Sequence, residues 1–124
     1  MTRAAAFALS LIAAGAASAQ TEVESANYML PGCRDYVRLI NKTADPKTIN
    51  AFAAGNCAGR IEGLLILRDD LLPDIRFCKP PSVTTGQATQ MVVNWLEANP
   101  ARWHENFILL AHGVFKRAWP CNRW

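Results

Sequence analysis

Four cysteines, Cys33, Cys57, Cys78 and Cys121, set the terms on which this chain can fold. None stands in the close Cys-x-x-Cys pairing that zinc sites usually use. An even number of widely spaced cysteines in a small exported domain implies a disulfide framework instead. Export is written into the N-terminus. Arg3 supplies a positive start, Ala4 to Ala16 is small or apolar apart from Ser10, and Ala17-Ser18-Ala19 has the small-x-small pattern of a cleavage site. That order is a secretory signal peptide. Residues 1–19 are therefore expected to be removed, and residues 20–124 to form a single exported domain. The apolar stretch is short for a bilayer span, which needs ~20 residues, and no second one replaces it.

Cleavage takes Arg3 with it and lowers the formal charge from +3 by one, to +2. No charge run exceeds the Asp69-Asp70 pair, and no basic stripe appears, so nucleic acid is not an expected partner. No cofactor is expected either.

The pattern is helical throughout. Cys33 to Ile40 places Tyr36, Val37 and Ile40 on one face, after a turn at Ser25–Leu30 and an interruption at Pro31-Gly32. Asp45 suits an N-cap and Pro46 a first helical position. Apolar residues then recur from Ile49 and Phe52 through Cys57, Ile61 and Leu64 to Leu71, before Pro73. Within this second helix Gly55, Gly59 and Gly63 form a stripe spaced by four. Each costs ~1 kcal/mol against alanine, which calls for a close helix approach in return. Packing inside the domain is the expected approach; a dimer seam is the alternative.

Pro73 to Thr85 is a proline-rich connection. A third helix opens with Thr84-x-x-Gln87, a capping box, and carries Ala88, Met91, Val92, Trp95 and Leu96 on one face. Asn99-Pro100 reads as its end and as the start of a fourth, whose inner stripe is Trp103, Phe107, Leu110, Ala111, Val114 and Phe115. The fold class is all-α: about four helices in antiparallel hairpins. Cys33 and Cys57 are equally far from the turn at Asp45-Pro46, and Cys78 and Cys121 almost equally far from that at Asn99-Pro100. The expected pairs are Cys33–Cys57 and Cys78–Cys121.

Nothing in the pattern makes a catalytic set. Oxidised cysteines are not nucleophiles. His104 and His112, eight apart on the predicted fourth helix, lack a third ligand and read as surface residues. Asp69, Asp70 and Asp74 read as solvated charges, with a binding surface as the alternative. Trp95 and Trp103 read as core, and Trp119 and Trp124 as packing over the disulfide.

Taken in order, Asn56-Cys57-x-Gly59-x-Ile61-x-Gly63, Phe77-Cys78-x-Pro80, Val83-Thr84-x-Gly86-Gln87, Val93-x-Trp95-Leu96-x-x-Asn99-Pro100 and Trp119-Pro120-Cys121 resemble the Rap/Tai immunity-protein family. Arg60 departs from it, standing where the family often has an aromatic. The resemblance implies a non-enzymatic periplasmic protein, linked to type VI secretion, that occludes the catalytic cleft of a peptidoglycan amidase toxin. It also implies a possible homodimer. A rigid frame commonly carries binding on its loops. The Pro73–Thr85 connection, with Arg76 and Lys79, is thus the expected partner-binding stretch. A small periplasmic chaperone or stress protein is the other class the sequence permits.

Overall fold

The computed structural model describes residues 22–121, so residues 1–19, the expected signal peptide, and Trp124 lie outside the described residues. Four helices form the domain: α1 (Ala26–Ile40), α2 (Ala51–Leu67), α3 (Thr85–Ala98) and α4 (Phe107–Ala118). Among the described residues the only extended pairing is one antiparallel bridge, Ser25 with Asn106. The helix α1 is central and packs most extensively on α2, then on α3. Both disulfides pair as the hairpin spacing predicts, Cys33–Cys57 and Cys78–Cys121. Their loops span 24 and 43 residues. Chain-entropy estimates give such bridges about 3.5–4 kcal/mol each.

The first helix corrects the expected break at Pro31-Gly32. It runs unbroken from Ala26, capped by Ser25, whose Oγ accepts from the Tyr28 amide at 3.3 Å. Pro31 is the sixth helical residue and removes one helical hydrogen bond. Buried side chains on both sides, Met29 and Leu30 before it and Cys33 and Val37 after, hold the helix together across it. Gly32 is where α2 comes closest. A Cβ there would lie 2.3 Å from the Ala53 carbonyl oxygen.

That contact also corrects the reading of the glycine stripe. A Cβ on Gly55, Gly59 or Gly63 would meet nothing within 4 Å, so the stripe packs against no other helix of the described chain. Phe52, assigned to the apolar face, is 77% exposed beside it.

Both Xaa-Pro helix starts give a single 3-10 turn instead, Pro46–Thr48 and Pro100–Arg102. Ile49 is extended, and Asn50 caps α2 by accepting from Ala53 at 3.0 Å. Asp35 fixes that start to α1: its carboxylate accepts from the Asn50 amide at 3.0 Å and from Arg38. The Asn50 amide, and next the Arg38 guanidinium, hold the Asp35 carboxyl below the ordinary carboxylate range. At the other junction, the Trp103 and Glu105 carbonyls accept from the Asn27 and Ala26 amides at 2.7 and 3.0 Å. These are two of the orphan donors at the start of α1. A helix continuing from Pro100 would turn those carbonyls away, so α4 begins only after Asn106, which caps it through Leu109 N at 3.2 Å. The α3 capping box forms as read: Gln87 N donates to Thr84 Oγ1 at 3.2 Å, and Thr84 N to Gln87 Oε1 at 2.9 Å.

The two kinds of glycine predict opposite outcomes. Gly32→Ala drives a methyl into the Ala53 backbone and is expected to cost about 1–3 kcal/mol, as overpacking does. Gly55→Ala, in open space, is expected to gain about 1 kcal/mol of helix propensity. Urea unfolding with the disulfides intact measures both, and equal shifts would refute the assignment.

Candidate partner-binding surface

The surface is built from two stretches that α4 joins. After α2 the chain makes one 3-10 turn, Arg68–Asp70, then closes on itself: the Ile75 and Arg76 amides both donate to the Leu72 carbonyl, at 3.0 and 2.9 Å. Leu109, His112 and Lys116 follow at i, i+3 and i+7 on the outer side of α4. His112 Nε2 lies 2.6 Å from the Ile75 carbonyl oxygen. A carbonyl cannot donate, so Nε2 carries the proton. Lys116 donates to the Asp74 carbonyl, and Arg76 donates twice to that of Leu71, at 3.2 and 3.0 Å. The turn is thus tied from α4 and from within.

Below it Phe77 is fully buried. Its ring meets Phe115 at 5.4 Å, Trp119 at 6.2 Å and the edge of His112 at 5.9 Å. Trp119 stacks on Phe115 at 5.0 Å, and its carbonyl accepts from the Cys78 amide at 2.8 Å. Trp119 thus packs its ring on Phe115 and Phe77, and meets the Cys78 side of the second disulfide through its backbone carbonyl.

Three large apolar side chains remain on the outside: Leu72 and Leu109, each 67% exposed, and Ile75, 40% exposed. Asp69, Asp70 and Asp74 are exposed along the same stretch, with only Asp69 in an ion pair among the described residues, to Arg68 at 3.4 Å. The arrangement is an apolar turn with an acidic rim. It can bury apolar area against a partner and offer carboxylates to a cation at the margin.

Arg76 and Lys79, the side chains expected to meet a partner, are partly exposed on either side of Phe77-Cys78. Both also brace the local backbone, Lys79 through the Pro80 and Val83 carbonyls at 3.0 and 2.6 Å. His104 is exposed on the turn before α4 rather than on the helix with His112. Trp95 and Trp103 are half-buried and carry arginines on their rings. Arg102 and Arg117 both lie 5.2 Å from the Trp95 ring, and Arg34 lies 5.8 Å from that of Trp103. A shallow groove of about 650 Å³ between α1 and α3 lies apart from the turn, with Arg34–Glu97 among its lining residues. Sequence reasoning missed Leu72, Ile75 and Leu109. The available signal was Leu109 itself, an apolar residue off the inner stripe of its helix.

These features define a class: a small, disulfide-clipped helical domain that holds an exposed apolar turn firmly against one helix. The family model of the Rap1a immunity proteins matches residues 25–121, and the chain belongs to that family. No curated protein and no solved structure matches it. By family it is an immunity protein, which makes a toxin protein its partner. Among the described residues, no helix is long and apolar enough to cross a membrane.

His112→Phe keeps a ring against Phe77 and removes the donor to Ile75. Losing one such bond, about 1 kcal/mol, should speed amide exchange at Ile75 and Arg76 about fivefold and leave α1 unchanged. Hydrogen-exchange mass spectrometry checks this; unaltered exchange in the turn would show that His112 does not tether it.

Proposed function

We propose that this chain is a non-enzymatic periplasmic immunity protein that neutralises a peptidoglycan amidase delivered by type VI secretion. The observation that carries the reading is the family match across nearly the whole described domain. The two disulfides and the export pattern of residues 1–19 support an oxidising compartment. The Leu72–Ile75 turn is the wedge. Leu72, Ile75 and Leu109 enter the toxin's cleft and exclude water from it, Asp69, Asp70 and Asp74 meet its rim, and Arg76 and Lys79 complete the contact. A turn already held by His112, Lys116 and Arg76 loses little freedom on binding.

The test is protection from lysis by a periplasmically expressed type VI amidase, with affinity measured in parallel. Burying one leucine is worth about 1.5–3 kcal/mol, so Leu72→Asp and Leu109→Asp should each weaken binding at least about tenfold without unfolding the domain. Arg76→Ala and Lys79→Ala should weaken it less. Full protection by both aspartate variants would move the interface elsewhere on the molecule.

The possible homodimer has its own candidate seat. Phe52, Gly55, Gly59, Gly63 and Ile66 lie on one outward face of α2, and their spacing reads the same in both directions from Gly59. An antiparallel two-fold contact centred on Gly59 would set Phe52, 77% exposed, against the second copy's Ile66, 63% exposed. Light scattering should then give twice the monomer mass, and Gly59→Arg should restore the monomer. A monomeric wild type at high concentration rejects this seat.

A further inference from the structure

The two disulfides differ in access, and we infer that Cys78–Cys121 is a reducible site, open to thiol–disulfide exchange in the native fold, whereas Cys33–Cys57 is closed to it. Cys33 and Cys57 are both 0% exposed, sealed between α1 and α2. Cys78 and Cys121 are partly exposed. Cys121 also lines a pocket of about 260 Å³ with Asp74, Arg76 and Lys116. Arg76 and Lys116 spend their hydrogen bonds on the Leu71 and Asp74 carbonyls, and neither makes an ion pair among the described residues. Lys79, next to Cys78, likewise donates to carbonyls. Against these three cations stands the Asp74 carboxylate. The balance is positive, which draws an attacking thiolate in and stabilises the thiolate that leaves.

The reductant is a dithiol. One of its thiolates attacks Sγ of Cys121 from the pocket, the bond to Cys78 breaks, and Cys78 leaves as a thiolate that takes up a proton. The reductant's second thiol then attacks the mixed disulfide, releasing Cys121 as a thiol. Two electrons have moved: the protein's disulfide becomes two thiols and the dithiol becomes a disulfide. What the reaction changes is the clasp between the proline-rich connection and the end of α4. The Cys78 amide bond to Trp119 and the buried Phe77 remain, but the segment behind the Leu72–Ile75 turn is no longer covalently tied. Reduction therefore loosens the proposed wedge; only this last step rests on the proposed function.

The experiment exposes the folded, oxidised protein to graded dithiothreitol, blocks thiols with N-ethylmaleimide, and maps them by mass spectrometry while circular dichroism follows the helices. Cys78 and Cys121 should be labelled at least about tenfold faster than Cys33 and Cys57, with helicity retained, because the inner bridge needs a larger opening. Scaled for thiolate fraction, mercaptoethanesulfonate should react faster than cysteamine, reflecting the positive flank. Equal labelling of all four cysteines, or labelling only as the helices melt, overturns the site; no preference for the anionic thiol overturns its electrostatic basis. Where the oxidised protein binds an amidase, reduction of the outer bridge should weaken that binding at least about tenfold, and unchanged affinity overturns the switching role. Oxidised protein that binds no amidase counts against the proposed function and leaves the labelling result standing.

Discussion

Everything else in the domain is arranged around the crossing of α1 and α2 at Gly32, Ala53 and the Cys33–Cys57 bridge. The bridge brings two Cα atoms to 5.2 Å, and Gly32 lets the backbones meet beside it without a side chain between them. Neither feature works alone. A side chain at 32 would push the helices apart by more than the packing there can yield, and without the bridge a proline one residue before Gly32 would make this the weakest turn of α1. Together they turn a helix that local rules would break into the central element. Its N-terminal amides are then satisfied from the turn before α4, and its Asp35 fixes the start of α2.

This explains which parts of the fold could be read in the sequence. The capping box at Thr84 and Gln87 needs only residues three apart, so nothing distant can overrule it. The disulfide pairing was legible because hairpin spacing constrains it, even with Cys78 in the proline-rich connection before α3 rather than on a helix. Pro31 was misread because its local cost is visible and the tertiary contacts that offset it are not. Asp45-Pro46 and Asn99-Pro100 misled in the same way. Each starts a turn, and a later Asn, 50 or 106, takes over because the intervening backbone is committed elsewhere. The glycine stripe was legible as an anomaly but not as a location, because its outward direction is set by how α2 packs on the sequence-distant α1.

The second disulfide does a different job from the first. It lies at the edge, beside an aromatic cluster of Phe77, Phe115 and Trp119, and fastens a connection held by only a few turn hydrogen bonds of its own. Helix α4 pays on both sides for that connection's order. Its inner face supplies Phe115 to the core, and its outer face supplies His112 and Lys116 to the turn. A single twelve-residue helix thereby links a buried aromatic cluster to the exposed Leu72, Ile75 and Leu109.

The acidic rim is the remaining oddity, and it bears on what the surface is for. Asp69 and Asp70 follow directly on the C-terminal end of α2, where the helix dipole disfavours negative charge by about 0.3–1 kcal/mol. Arg68 answers part of this by donating to the Leu65 carbonyl and pairing with Asp69. Asp70 and Asp74 have no such answer among the described residues. Uncompensated carboxylates beside exposed leucines contribute nothing to the isolated fold: the charges work against the dipole, and the leucines leave apolar area in water. Both costs fall on the same turn, which the chain nonetheless braces with five side-chain-to-backbone hydrogen bonds from Arg68, Arg76, His112 and Lys116. Under the proposed function, a segment held so firmly in an unfavourable exposure would gain its stabilisation on docking, when a basic, apolar-lined cleft covers it.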